Sequence, residues 1–388
     1  MSSSKSNSIV FVTSDLYYVK GFLVNQIKEA AKSFDVCLVA NADRSSVHEI
    51  FGDSIAFKNF NIQRKIAIVQ DVYSFLSLLL FLIIYRPSIV HSTTPKAGLF
   101  SMVSAFLARV PFRLHTFTGQ VWQTKRGFYR SFLKMLDRLT AVTSTHILCD
   151  SHSQREYLLQ ESVVRKNKSH VILNGSIRGV DPNKFRPRID YRVEVRWEIN
   201  IPDNSILILY MARFTRDKGA LLMAQAFREL ASKNSDTFLL MVGPDEEDLS
   251  AEISSLLIDC KSSYALLNYT DSPERYFAAC DIFCLPSYRE GFPMVLLNAA
   301  SSAVPVVASR IYGSSDVVVE NKTGMLFNPG DVNELVEKLA RLSGDKDLIK
   351  DFGKNARAFA INNFSEGQIT RELMDIYRKR AFPVNPGL

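Results

Sequence analysis

Two short segments of the chain combine cations, a carboxylate and glycine at spacings suited to holding a phosphorylated ligand. The first is Ala212-Arg-Phe-Thr-Arg-Asp-Lys-Gly219, which follows an apolar run and precedes a helical pattern. Arg213 offers a planar fork for bidentate phosphate binding, Lys218 a compact cation, and the helix beyond them adds backbone N–H donors at its N-terminus. The second runs from Leu285 to Ala300 and contains Tyr288-Arg-Glu-Gly-Phe-Pro-Met294. Glu290 closes a strand-to-turn segment, Gly291 permits close backbone approach, and Pro293 starts a helix at Met294, so Phe292, Pro293 and Met294 stand at its entrance. Asn298 follows about one turn into that helix, where its amide can reach the same ligand. Cations before a helix are common in solvated loops, and the first segment alone is compatible with that; the two together predict a diphosphate site.

The first half of the chain holds all six histidines: His48, His91, His115, His146, His152 and His170. Of these, His91 and His115 follow or end strand candidates, where either a ligand contact or a structural role is open to them. The loop Ser14-Asp-Leu-Tyr-Tyr-Val-Lys-Gly21 follows the first strand candidate and supplies Lys20 and Gly21. No G-x-G-x-x-G follows the first strand of either half, which removes the main support for a dinucleotide-dependent dehydrogenase. Five cysteines are too few and wrongly spaced for zinc pairs, and Cys280 and Cys284 flank an apolar strand as core residues do. With a polar start from Met1 to Ser8, the expectation is a reducing, cytoplasmic location.

These residues need elements to hold them. The 388 residues are 47% apolar and 22% charged, which excludes a disordered chain and a disulfide mini-protein. In the first half, strand candidates at 9–13, 36–40, 88–91, 112–117, 146–149 and 171–173 alternate with helical patterns; the second half restarts at 205–210 and repeats the alternation. Repeated βα units predict two doubly wound parallel sheets, an α/β fold. The boundaries expected are 1–188, 189–364 and a C-terminal helical segment, 365–388, packing back on the first domain, with the Pro-rich stretch 181–190 near the linker. Net charge divides unevenly: residues 1–188 carry 25 Lys/Arg and 12 Asp/Glu, residues 189–388 carry 22 and 28. The almost wholly apolar Val72–Tyr85 is shorter than the ~20 residues a bilayer span needs, which predicts a helix buried against the first sheet. Between Trp122 and Arg138, four aromatics alternate with five cations, a composition shared by interfacial membrane surfaces and by solvated helices with core aromatics.

In order and spacing, Arg213-x4-Lys218-Gly219, Pro286-Ser-x-x-Glu290-Gly-Phe-Pro, Pro305-Val-Val-Ala-Ser, Gly313 and Thr323-Gly-x-Leu326 resemble the retaining glycosyltransferases of family 4 with the GT-B fold. Val90-His-Ser-Thr-Thr-Pro-Lys-Ala-Gly98, Asp150-Ser151 and Val171-Ile-Leu-Asn-Gly175 resemble the bacterial members that build surface polysaccharides. The resemblance implies two Rossmann-like domains facing across a cleft. It implies a nucleotide-diphosphate sugar as donor substrate held by the C-terminal domain, with Arg213 and Lys218 on the diphosphate and Glu290 near the sugar. No metal and no cofactor is expected, because Arg, Lys and helix N-termini neutralise the leaving phosphate. Transfer would go with retention to a glycan on a polyprenyl diphosphate, at the inner face of the cell membrane, in O-antigen or capsule synthesis. The basic first domain suits that anionic lipid and the membrane surface, and nucleic acid drops out as a partner.

The chain also departs from the family pattern. Asn298 stands where the family has a second glutamate, and Thr118 where many members carry a histidine, leaving His91, His115 or Thr118 to contact acceptor or sugar. Lys20 and Gly21 occupy the place of a glycine-rich loop near the diphosphate. These departures motivate two alternatives: a non-hydrolysing sugar-nucleotide epimerase of the same fold, and a catalytically inactive glycan- or nucleotide-binding partner.

Overall fold

A computed structural model describes residues 5–62, 67–202, 204–233 and 236–381. In the first half, seven strands form one parallel sheet: β1 (Lys5–Asp15), β2 (Asp35–Asn41), β3 (Ala56–Asn59), β4 (Pro87–Thr93), β5 (Phe112–Phe117), β6 (His146–Cys149) and β7 (Ser169–His170). Their order across the sheet is β3-β2-β1-β4-β5-β6-β7. Six strands form the second sheet: β8 (Ile206–Met211), β9 (Thr237–Val242), β10 (Tyr264–Leu267), β11 (Ile282–Leu285), β12 (Val306–Ser309) and β13 (Gly324–Phe327), ordered β10-β9-β8-β11-β12-β13. The central strands of the second sheet, β8 and β11, are uninterrupted apolar runs, buried on both faces because helices cover both sides. Both sheets reverse strand order at one place, between β1 and β4 and between β8 and β11, and the crevice beyond the strand ends there is where such sheets bind ligands.

Contacts divide the chain into one unit of 1–178 with 366–388 and another of 179–365. The boundary falls at Arg178/Gly179 rather than 188/189, because the intervening segment is tied to the second unit: Val180 N–H donates to Phe364 O at 2.9 Å, and Ser301 Oγ donates to Phe185 O at 2.6 Å. The helix Glu366–Ala381 belongs to the first unit, where Ile369, Leu373, Met374 and Tyr377 are buried, three of them in the core formed by β1, β2 and their helices. Divided this way, the first unit has 26 Lys/Arg against 14 Asp/Glu, and the second 21 against 26.

In the first unit one sequence expectation is corrected, and a reading left open is decided at Trp122. The apolar stretch at 72–85 is part of a longer helix, Ile68–Tyr85, and it is not buried: only Ser74, Leu78 and Leu82 are, as a narrow stripe on the sheet. Trp122 is 1% exposed, so it is no membrane-inserting aromatic. Its Nε1–H donates to Asp137 Oδ2 at 2.7 Å, its ring stacks on Tyr157 at 5.4 Å, and Arg130 lies over it at 5.2 Å.

Asp137 as a residue is half-buried, but its carboxyl is turned in beneath Trp122, and burial pushes its pKa up to about 7 despite the indole donor. The folded chain then holds a proton that the unfolded chain releases near pH 4, so this group makes the fold less stable as pH rises through that window. Asp137→Asn is expected to flatten the decline: between about pH 5 and about pH 8, the Tm of the parent should fall further than that of the variant. Parallel Tm curves would mean that the carboxyl is ionised throughout.

Candidate active site

The loops after β8 and β11 meet at the reversal point of the second sheet. After β8 the chain makes a 3-10 turn, Arg216–Lys218, and enters the helix Ala220–Ala231 through Gly219. Gly219 has φ 72°, and a Cβ there would lie 2.0 Å from Pro286 O, so only glycine lets the two loops come this close. Further ties lock them: Tyr288 N–H donates to Asp217 O at 2.9 Å, and Arg289 Nη2 lies 3.3 Å from Asp217 Oδ2. From below, the hydroxyl of the fully buried Tyr210 donates to Arg213 O and Lys218 O, at 3.1 and 3.3 Å.

This scaffold brings Lys218 Nζ within 2.7 Å of Glu290 Oε1, in a pair largely withdrawn from solvent. The ammonium has three donors and spends one on Glu290, leaving capacity for a phosphate. Arg213 is more exposed and pairs with Glu246. A surface pair of that kind is worth about 0–1 kcal/mol, so an incoming anion can displace Glu246 at little cost. The helix Met294–Ser301 begins after Pro293 with no side-chain cap, and Ala220–Ala231 begins after Gly219 with none either. Phe292 and Met294 are buried, and Phe292 packs on Phe364 at 5.5 Å. Gly291 O approaches Gly313, whose φ is 81° and where a Cβ would lie 1.9 Å from that oxygen.

Several buried polar atoms in this region have no hydrogen-bond partner: Thr215 Oγ1 after β8, Ser287 Oγ after β11, Ser309 Oγ at the end of β12, Ser314 Oγ beyond it, and Asn298 Oδ1. Buried polar groups are normally satisfied, so this set marks where a polar ligand would complete the structure. Of the set, Asn298 is the member that sequence spacing points to. The hydroxyls carry no such signal beyond their neighbours: Ser287 lies inside the Pro286–Glu290 motif and Ser314 beside Gly313.

The first unit presents a different picture. His91 is 2% exposed, with Nδ1 2.5 Å from Tyr377 Oη and Nε2 2.8 Å from Thr116 Oγ1. His115 is 1% exposed, 2.9 Å from Ser92 Oγ, and its ring fills the space left by Gly98, where a Cβ would lie 2.2 Å from it. Burial lowers both to about 3, so both are neutral core residues and not contacts for a sugar. Thr118 is half-buried just past β5, its carbonyl accepting from Gln120 Nε2 and Gln154 Nε2 at 2.6 and 2.7 Å; of the three it alone has partial access to solvent. Lys20 is exposed, and Gly21 lies in a π-helical turn, Val19–Leu23, rather than in an open loop, with its carbonyl accepting from Arg178 Nη1 at 2.9 Å. Asp15 Oδ1 caps the helical turn before it by accepting from Tyr18 N–H.

Just past β6, Asp150 is buried with neither carboxylate oxygen partnered, and burial holds its pKa well above the usual range. It lines a cavity of about 20 Å³ with Gln26, His91, Thr93, Thr116 and Ser176. That is room for about one water molecule, not for a sugar.

Comparison with known proteins accords with this geometry. The family described as "Glycosyl transferases group 1" matches residues 192–359, and "Glycosyltransferase Family 4" matches residues 22–176. The capsular polysaccharide biosynthesis glycosyltransferase CapM of Staphylococcus aureus is 29% identical over 340 residues, covering 85% of this chain and 89% of that protein. An Escherichia coli UDP-Gal:alpha-D-GlcNAc-diphosphoundecaprenol alpha-1,3-galactosyltransferase is 28% identical over 352 residues, covering 89% of each. Among solved structures, a glycosyltransferase from Rickettsia africae superposes with a TM-score of 0.78 at 21% identity, covering 97% of this chain and 99% of that one.

Proposed function

We propose that this chain, which belongs to the family-4 glycosyltransferases of GT-B fold, transfers a hexose or related sugar from a nucleotide diphosphate to a lipid-linked glycan in surface-polysaccharide synthesis, with retention at the anomeric carbon. The observation that carries this is the Lys218–Glu290 pair at the reversal point of the second sheet, together with unsatisfied buried hydroxyls and an amide in the segments that follow β8, β11 and β12. In the reaction the bond from C1 to the leaving phosphate oxygen breaks as the bond to the acceptor oxygen forms on the same face, and the acceptor proton passes to the leaving phosphate. The charge growing on that phosphate is the largest electrostatic demand. Lys218, Arg213 after release from Glu246, and the uncapped N-termini of Ala220–Ala231 and Met294–Ser301 meet it without a metal or other cofactor. Glu290 holds Lys218 in place and borders the sugar. Two relatives whose names specify undecaprenyl-diphosphate acceptors, those of E. coli and Campylobacter jejuni, support a polyprenyl-diphosphate acceptor at the cytoplasmic membrane face.

The test is a mass-spectrometric screen of nucleotide sugars against polyprenyl-diphosphate glycans, with the anomeric configuration read by NMR. A glycan lengthened by one α-linked sugar is expected from an α-linked donor. Conversion of the donor without acceptor would favour an epimerase, and nucleotide binding without turnover an inactive partner.

Asn298 gives a narrower prediction. It is 8% exposed with an orphaned Oδ1, at the position where the family has a glutamate. Asn298→Glu is expected to tighten donor binding several-fold through charge-assisted bonds to hydroxyl groups, while lowering the Tm of the ligand-free protein because the carboxylate is then buried alone. Nucleotide titration and thermal melts check this; an unchanged titration would count against it.

A further inference from the structure

We propose that the outer face of the Ile68–Tyr85 helix inserts into the interfacial layer of a lipid bilayer and holds the protein there by apolar contact. This rests on the reading of the acceptor as a membrane lipid, and it assigns the surface and the force. The helix is 18 residues long with a mean hydropathy of 2.0, and 17% of it is buried. Opposite its buried stripe it exposes Val72, Tyr73, Leu76, Leu80, Ile83 and Ile84, five of them by half or more. Its one acid, Asp71, is neutralised by Lys96 at 2.6 Å. It does not span: β3 before it and β4 after it are parallel strands of one sheet, so its stripe must stay on that sheet and its long axis lies along the protein surface.

The neighbouring helices extend the face. Pro95–Leu107 packs against both Ile68–Tyr85 and Gly127–Thr143. It exposes Phe106 and Leu107, and Gly127–Thr143 exposes Phe128, Tyr129, Phe132, Met135 and Val142. Beside Asp71, these three helices contain one other acid, Asp137, already engaged by Trp122. Exposed cations stand at their ends: Arg86, Arg109, Lys125 and Arg126. An apolar surface bordered by cations and nearly free of acids complements acyl chains beneath anionic head groups, whereas a second copy would oppose like charges.

Flotation with vesicles of phosphatidylethanolamine and phosphatidylglycerol tests this. Because apolar insertion is not screened by salt, most binding should persist from about 0.1 M to about 1 M NaCl. Leu76→Glu/Leu80→Glu, at exposed positions, should cut bound protein by about tenfold or more with unchanged Tm and UDP binding, whereas Lys125→Glu/Arg126→Glu should remove only the salt-sensitive part. Three results would each overturn the inference: flotation of Leu76→Glu/Leu80→Glu at the parental level, loss of parental flotation at high salt, or a lipid-free dimer that the same two substitutions dissolve. The functional reading is separated by a water-soluble short-prenyl diphosphate glycan: transfer to it without flotation removes only this inference, and flotation without transfer to any acceptor removes only that reading.

Discussion

Lys218→Met is expected to lower the turnover of sugar transfer by about 10²- to 10³-fold, the loss usual when one preorganised charge or donor at a developing oxyanion is removed. Methionine keeps most of the stem volume and deletes the ammonium alone. The substitution also strands Glu290, 9% exposed and 2.7 Å from the lost Nζ. An unpaired, largely buried carboxylate costs about 1–3 kcal/mol, so a fall in Tm should accompany the loss of activity. Glu290→Gln in the same chain separates the two effects. In Lys218→Met/Glu290→Gln the stranded charge is gone and the Tm should recover, yet turnover should stay low because the leaving phosphate still lacks its cation. If activity returned with stability, Lys218 would be a structural residue. If Lys218→Met kept full activity, the diphosphate assignment would fall.

The second unit was legible because its functional groups are encoded locally. Arg213 to Gly219 and Pro286 to Met294 are contiguous segments just past two strands, and the parallel βα pattern already puts those strand ends together. Which side chains pair could not be read: Lys218 meets Glu290 across 72 residues of sequence, through the Gly219–Pro286 approach of the loops after β8 and β11, and Arg213 meets Glu246 across 33, through the loops after the neighbouring strands β8 and β9. In the first unit the same reasoning left His91 and His115 open between ligand contact and core, and the structure buries both. A histidine near a strand's end reads alike whether its ring turns outward or into the core; here Gly98 opens space for one ring, and Tyr377, from the far end of the chain, seals the other. The Ile68–Tyr85 helix failed for a related reason. An all-apolar pattern states that water is unfavourable on every face but does not say what replaces it, and the fold covers only the Ser74–Leu78–Leu82 stripe.

Gly219→Ala should be among the most damaging small substitutions in the second unit. At φ 72° an L-residue pays about 1 kcal/mol or more for the left-handed conformation. The larger cost is steric: the added Cβ would sit 2.0 Å from Pro286 O, a backbone atom that cannot rotate away. The β8 and β11 loops must therefore separate, which strains the Tyr288 N–H to Asp217 O bond and shifts Lys218 from Glu290. A total of about 2–4 kcal/mol follows, or a Tm lower by about 5–15 °C for a unit of this size. Because the displaced groups are those assigned to the diphosphate, UDP binding measured well below the new Tm should weaken by at least about tenfold. Gly52→Ala is a collision-free comparison: with φ 58° and ψ −141° that glycine sits in a region harsher for an L-residue than the φ 72°, ψ 28° of Gly219, but a Cβ there would meet nothing within 4 Å, so a greater loss at Gly219 comes from the collision. A Gly219→Ala protein that melts with the Gly52→Ala control and binds UDP as the parent does would show that the loops tolerate separation, and that the close approach is not what positions Lys218.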